Sequence, residues 1–102
     1  MLPIIQERLP QLQELCRRYQ VARLDLFGSA ASGRFDTENS DLDFVVEYLP
    51  APEAMTMNAY FGFKADLEKL FEREVDLVER AAVRNPYFQE ELSDTQVPVY
   101  AA

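Results

Sequence analysis

The most constraining feature of the sequence is a pair of aspartates at the start of an apolar run. Asp41 and Asp43 open a segment that continues as Phe44, Val45 and Val46. Burying a carboxylate costs several kcal/mol unless it is paired or holds a metal. On a β-strand, side chains two residues apart leave from the same face. The segment therefore predicts a strand that presents two carboxylates together, an arrangement suited to Mg²⁺ and a nucleotide phosphate.

A Gly-Ser pair upstream of the aspartates fits the same chemistry. Gly28 and Ser29 directly follow the apolar run 24–27. Glycine lets the backbone approach a phosphate closely, and Ser29 offers a hydroxyl and backbone N–H groups at the start of a short helical turn predicted over 30–33. Taken alone these signals are weak, because Gly-Ser usually marks only a turn, an Asp-x-Asp pair can decorate a solvated strand end, and Ser40 is compatible with a turn cap.

A third carboxylate is predicted on a later strand. Residues 74–79 alternate polar and apolar side chains, so Asp76 leaves from the face opposite Val75 and Leu77. In two-metal sites, a further carboxylate of this kind binds the second ion or takes the proton from the attacking hydroxyl. Taken alone, Asp76 is also compatible with the polar face of a half-exposed strand.

Composition excludes several function classes. The 102 residues fit one domain, 1–102, and the net charge of −8 argues against direct binding of nucleic acid. The absence of histidine removes Ser-His and Cys-His catalysis and His-ligated zinc. The lone Cys16 falls on an apolar helix face and is predicted to be a core residue. With no apolar stretch long enough to span a bilayer, we expect a cytoplasmic protein without a membrane partner.

Apolar periodicity predicts a small α/β or α+β fold, with a mixed β-sheet flanked by helices. Pro10 leaves two starts open for the first helix, and Pro98 is expected to confine the last strand to a sheet edge. The predicted elements are a helix from 3 or 9 to 19, strands over 21–27 and 41–48 joined by a polar loop over 34–40, a helix over 53–71, a strand over 74–79, a weak helix over 81–92 and a strand over 97–100.

The three motifs together resemble the minimal nucleotidyltransferases of the DNA polymerase beta superfamily. They read L-F-G-S, S-D-L-D-F-V-V and V-D-L-V, and the similarity runs over about residues 9–100. The resemblance implies a nucleotidyltransferase-like fold, two Mg²⁺ ions and ATP as substrate. It also implies site residues: Gly28, Ser29 and Ser40 would bind the nucleotide, and Asp41, Asp43 and Asp76 would be the catalytic, metal-binding carboxylates.

The sequence departs from this family pattern in two ways. Many members carry an arginine where this chain has Ser32, and the loop over 29–41 is about one residue longer than the commonest spacing. Arg34 and Lys64 are candidates to replace the missing cation.

The family resemblance leaves more than one function open. Many minimal members resemble the antitoxin half of two-gene modules whose other half is an α-helical HEPN toxin. By that resemblance, the chain would transfer AMP from ATP to a toxin tyrosine. Because aromatic residues favour interfaces, the exposed part of the stretch 60–71 and the segment around Tyr87-Phe88 are candidate docking surfaces, whereas Phe63, Leu67 and Phe71 are expected in the core. The alternatives are a non-catalytic antitoxin that neutralises its partner by binding and, more distantly, nucleotide transfer to a small molecule.

Overall fold

The computed structural model describes residues 3–28, 41–50, 56–82, 85–87, 89–90 and 96–102. The predicted turn over 30–33, the loop over 34–40 and residues 83–84, 88 and 91–92 of the predicted helix over 81–92 lie outside these ranges. In chain order the elements are α1 (Pro3–Glu7), α2 (Leu9–Arg18), β1 (Val21–Phe27), β2 (Leu42–Tyr48), α3 (Met57–Phe71), β3 (Val75–Glu79), a 3₁₀ turn (Arg80–Ala82) and β4 (Val97–Ala101).

Pro10 accounts for the two starts that the sequence left open. The N-terminal segment forms two helices separated at Arg8, and Pro10 lies in the first turn of α2. A proline is tolerated there because the backbone N–H groups of a first turn have no partner within the helix. The Arg8 N–H instead closes α1 by donating to the Ile5 carbonyl.

The four strands form one mixed sheet in the order β3-β2-β1-β4. Strand β1 pairs antiparallel with both β2 and β4, whereas β2 and β3 run parallel. The parallel pair requires a crossover connection, and α3 provides it. The N-terminus of α3 is capped by Thr56, whose side chain accepts a hydrogen bond from the Ala59 N–H. The predicted α+β class with a small mixed sheet is confirmed, and β4, which contains Pro98, is an edge strand of the described sheet.

Helices α2 and α3 cover one face of the sheet and build the main core with it. Cys16 is buried there, as predicted, and burial raises the pKa of its thiol to about 12. Side chains from every described helix and strand contribute to this core, including Ile5, Leu12, Leu24, Phe44, Phe63, Leu67, Phe71, Leu77 and Val99. The opposite face carries a smaller apolar cluster of Val45, Phe27 and Val78. None of the described helices has the length and apolar character needed to cross a membrane.

Candidate active site

Two of the predicted site carboxylates lie side by side across adjacent strands. In the parallel pairing of β2 and β3, Asp43 is the register partner of Asp76, and on its other side Asp43 pairs with Phe27 of β1. Asp76 is exposed while its neighbours Val75 and Leu77 are buried, so its side chain leaves from the face opposite the main core. Asp41 is exposed and lies directly before β2, two residues from Asp43.

The pKa of Asp43 depends on the charges of the other two aspartates. Partial burial raises the pKa of Asp43 above its ordinary value of 3.8, and the negative charges of Asp76 and Asp41 raise it further. Such a shift means that ionising all three carboxylates is costly in the absence of a cation. A bound cation would relieve this repulsion.

Gly28, which directly follows β1, lies against the Asp43 carboxylate. Its backbone adopts a φ of +68°, a left-handed conformation that side chains other than glycine rarely adopt. A Cβ added at this position would lie 2.6 Å from Oδ2 of Asp43, closer than a Cβ normally approaches an oxygen. The backbone of Gly28 therefore packs directly against the Asp43 carboxylate, and any side chain at this position would have to displace that carboxylate.

The remaining predicted site residues are placed only in part. Ser29 and Ser40 lie outside the described residues, as do Ser32 and Arg34. Lys64 is described: it lies on α3, where its Nζ is 4.0 Å from Oε2 of Glu68.

The described residues suit Mg²⁺, although they do not build a complete cage for it. Within the described ranges, no group of three or more cysteine, aspartate and glutamate side chains is arranged to hold a metal ion. Mg²⁺ does not require such a cage, because it is usually held by one or two carboxylates together with substrate phosphates and waters. The repulsion at Asp43 and the close approach of Gly28 both fit a cation and a phosphate at this point.

Asp25, for which no role was predicted, is a fully buried carboxylate. Its Oδ2 accepts a hydrogen bond from Nη2 of Arg80 and forms an ion pair with Nε of Arg23, both at 2.8 Å. The same Arg80 nitrogen also donates to the side-chain oxygen of Gln96. No described residue donates to the other oxygen, Oδ1 of Asp25. An aspartate inside the apolar run 24–27 was the available signal, because a charge there needs partners.

Comparison with known proteins decides the family. The model of the nucleotidyltransferase domain family matches residues 11–97. The chain is a member of this nucleotidyltransferase family. Relatives in Methanocaldococcus jannaschii include two that are named "putative protein adenylyltransferase". One is 32% identical over 85 residues, which are 83% of each chain, and the other is 29% identical over 99 residues, which are 89% of this chain and 97% of the relative.

Solved structures with the same fold include a minimal nucleotidyltransferase. A structure described as a "putative minimal nucleotidyltransferase" is 29% identical, covers 92% of this nucleotidyltransferase and 91% of its own chain, and has a TM-score of 0.77. A toxin–antitoxin structure with AMP-PNP is 19% identical, with 92% and 73% coverage and a TM-score of 0.73. A complex of the tri-AMPylated Shewanella oneidensis HEPN toxin with its MNT antitoxin is 16% identical, with 95% and 72% coverage and a TM-score of 0.66. The last two show likeness of fold. The resemblance to minimal nucleotidyltransferases is confirmed.

Proposed function

We propose that this nucleotidyltransferase transfers AMP from ATP to a hydroxyl of a partner protein, a tyrosine of a HEPN-type toxin, and so acts as an antitoxin. The observation that carries the proposal is the pairing of Asp43 with Asp76 beside the close backbone approach of Gly28. Asp43, Asp76 and Gly28, which belong to the family motif, therefore lie together at one end of the sheet.

The transfer is an in-line displacement at the α-phosphorus of ATP. The acceptor oxygen forms a bond to that phosphorus, the bond to the oxygen bridging the α- and β-phosphorus breaks, and pyrophosphate leaves. The hydroxyl proton passes to a base. Positioning of the reactants and stabilisation of charge account for most of the catalysis in reactions of this type.

Each described site residue has a role in this reaction. Asp41 and Asp43 would hold Mg²⁺, which supplies positive charge to the phosphate oxygens when bound. Asp76 would either bind a second ion or accept the hydroxyl proton. Gly28 would admit the phosphates close to the backbone, and Ser29 and Ser40, outside the described residues, would contact the nucleotide.

Support for the nucleotide and the acceptor comes from the relatives. Two homologues carry names that specify adenylyl transfer to protein, and two structures of the same fold are toxin–antitoxin complexes, one with AMP-PNP and one with an AMPylated HEPN toxin. The net charge of −8 would also attract a basic partner.

The direct test combines the protein with an α-helical, HEPN-like protein encoded beside its gene, ATP and Mg²⁺. We expect intact-mass spectrometry to show the mass of one or more AMP groups added to the partner, and peptide mapping to place them on tyrosine. Asp43→Asn should reduce the transfer rate on the order of 10²-fold or more. Glu47→Gln is the matched control, because it also removes a carboxylate from β2 but at an exposed position four residues further on.

The second candidate function is neutralisation by binding alone. It is favoured by exposed apolar side chains at the start of α3, where Met57 is 74% and Phe61 57% exposed, since exposed patches of this kind mark interaction surfaces. A partner that is inhibited in a tight complex while its mass stays unchanged would establish this function in place of transfer.

A further inference from the structure

Strand β3, which carries Asp76, lies at an edge of the described sheet. The Leu42 N–H donates to the Glu74 carbonyl, so the backbone groups of Glu74 and Asp76 face β2. Backbone groups alternate in direction along a strand, so those of Val75 and Leu77 face away from the sheet. Outward groups at an edge lack strand partners and leave the strand free to shift or to pair elsewhere.

Two side chains of α3 occupy the outward groups on either side of Asp76. The Val75 N–H donates to Oε2 of Glu68 at 3.2 Å, and the Tyr60 hydroxyl donates to the Leu77 carbonyl. The two bonds tie the residues before and after Asp76 to a single rigid helix. We call this pair of bonds the edge clamp.

The chemistry of both side chains suits this task. Tyr60, Lys64 and Glu68 are spaced four residues apart and share one face of α3, and Nζ of Lys64 lies 4.0 Å from the Glu68 oxygen that accepts from Val75. Burial, followed by the charges of Asp76 and Glu79, raises the pKa of Tyr60, which keeps its hydroxyl protonated and able to donate.

We propose that Tyr60 and Glu68 are positioning residues that hold Asp76 opposite Asp43 by clamping the outer edge of β3. The edge clamp is part of the folded chain and does not depend on the proposed function. Its consequence for metal binding and transfer rests on the proposed function. Residues that orient a metal ligand in this indirect way typically change metal affinity or activity by 10–100-fold when replaced.

Four variants test the edge clamp. Tyr60→Phe and Glu68→Leu each remove one of its bonds, whereas Glu68→Gln keeps a side-chain oxygen that can accept from Val75. Tyr19→Phe is the matched control, because it removes a tyrosine hydroxyl that donates to Oδ2 of Asp66 at 2.6 Å and joins α2 to α3 without touching β3.

The first readout is amide hydrogen exchange at Asp76, measured by NMR without metal. We expect exchange about tenfold faster, relative to global unfolding, in Tyr60→Phe and Glu68→Leu, and near wild type in Glu68→Gln and Tyr19→Phe. The second readout is Mn²⁺ binding by electron paramagnetic resonance, where the dissociation constant should rise about tenfold in the same two variants only.

Unchanged exchange at Asp76 in both clamp variants would overturn the proposal. Faster exchange with unchanged Mn²⁺ affinity and unchanged transfer would also overturn it, because the clamp would then stabilise β3 without positioning Asp76 for the site. Failure of the wild-type protein to bind Mn²⁺ or to transfer AMP would instead contradict the proposed function, and the exchange measurement would still decide whether the clamp holds β3.

Discussion

At the scale of single residues, Asp43 links the stability of the protein to pH and to metal. Its pKa is raised in the folded state, so the folded chain binds this proton more tightly than the unfolded chain does. This tighter proton binding contributes fully to the stability of the folded state when the pH is below 3.8, the ordinary pKa. The contribution is lost as the pH rises through the raised pKa of folded Asp43. At neutral pH, ionised Asp43 therefore opposes folding in the absence of metal.

We expect Asp43→Asn to stabilise the metal-free protein at pH 7 and to abolish stabilisation by Mg²⁺. Urea unfolding from pH 3 to 7, with and without Mg²⁺, measures both effects. The free energy of unfolding of wild type should fall relative to that of Asp43→Asn as pH rises. Added Mg²⁺ should raise the free energy of unfolding of wild type alone, because a ligand stabilises the state that binds it. Equal Mg²⁺ stabilisation of the two proteins would contradict the assignment of Asp43 as a metal ligand.

Gly28 is the second residue with a specific requirement. Gly28→Ala should lower the free energy of unfolding by about 1–2 kcal/mol from the left-handed backbone alone, and the new Cβ would also displace the Asp43 carboxylate. Gly28→Asn separates the two effects, because asparagine tolerates a positive φ but still carries a Cβ. We expect Gly28→Asn to recover much of the stability lost in Gly28→Ala while nucleotide transfer stays impaired. Full transfer in both variants would show that the close approach is unimportant.

At the scale of elements, the buried Asp25 ties β1 to the end of β3 through Arg80. Arg80→Ala should destabilise the protein by about 3 kcal/mol, because, among the described residues, the fully buried carboxylate then keeps only Arg23 as a cationic partner. Asp25→Leu should cost less, since the side chains of Arg23 and Arg80 are 39% and 28% exposed and can reach water. Urea unfolding of the single and double variants checks this order. If Arg80→Ala proved milder than Asp25→Leu, the pair with Arg23 would be enough to compensate the buried carboxylate, and Arg80 would not be needed for that purpose.

Local patterns predicted most of the elements. Strand β1 was predicted with the observed bounds, and β2, β3 and β4 within one residue, because each is a short run of alternating or continuous apolar residues between clear breaks. The pairing of β3 beside β2 was not predictable from periodicity, since it depends on how the α3 crossover packs. The contacts of Tyr60 and Glu68 were missed for the same reason: helical spacing shows a shared face but not which strand edge lies against it.

At the scale of the whole molecule, α3 carries two sets of apolar residues. Those at its start are exposed, and the others are buried in the core. The sequence placed a docking surface within 60–71 and at Tyr87-Phe88. Phe63, Leu67 and Phe71 are buried, whereas Phe61 is 57% and Tyr87 83% exposed, and the side chain of Phe88 lies outside the described residues. Phe61 lines a groove with Met57, Tyr60, Leu77 and Val78, beside the strand that carries Asp76.

If the chain binds a toxin partner as proposed, we expect Phe61→Ser to weaken that complex by at least about tenfold, because aromatic anchors contribute most to interfaces of this kind. Leu49→Ser is the control, since Leu49 is an exposed apolar residue that follows the end of β2 distant from Asp43. Surface plasmon resonance measures both affinities. Equal affinities for wild type and Phe61→Ser would place the docking surface elsewhere.

Because β2 and β3 are parallel and joined through α3, the three site aspartates are synthesised at different times on the ribosome. Asp41 and Asp43 leave the exit tunnel first, and Asp76 follows after the whole of α3. At bacterial or eukaryotic elongation rates this interval lasts roughly 2–7 s. During that time Asp43 has β1 as a neighbour but not β3, so a polypeptide that stalls before β3 lacks Asp76 and the proposed set of three carboxylates.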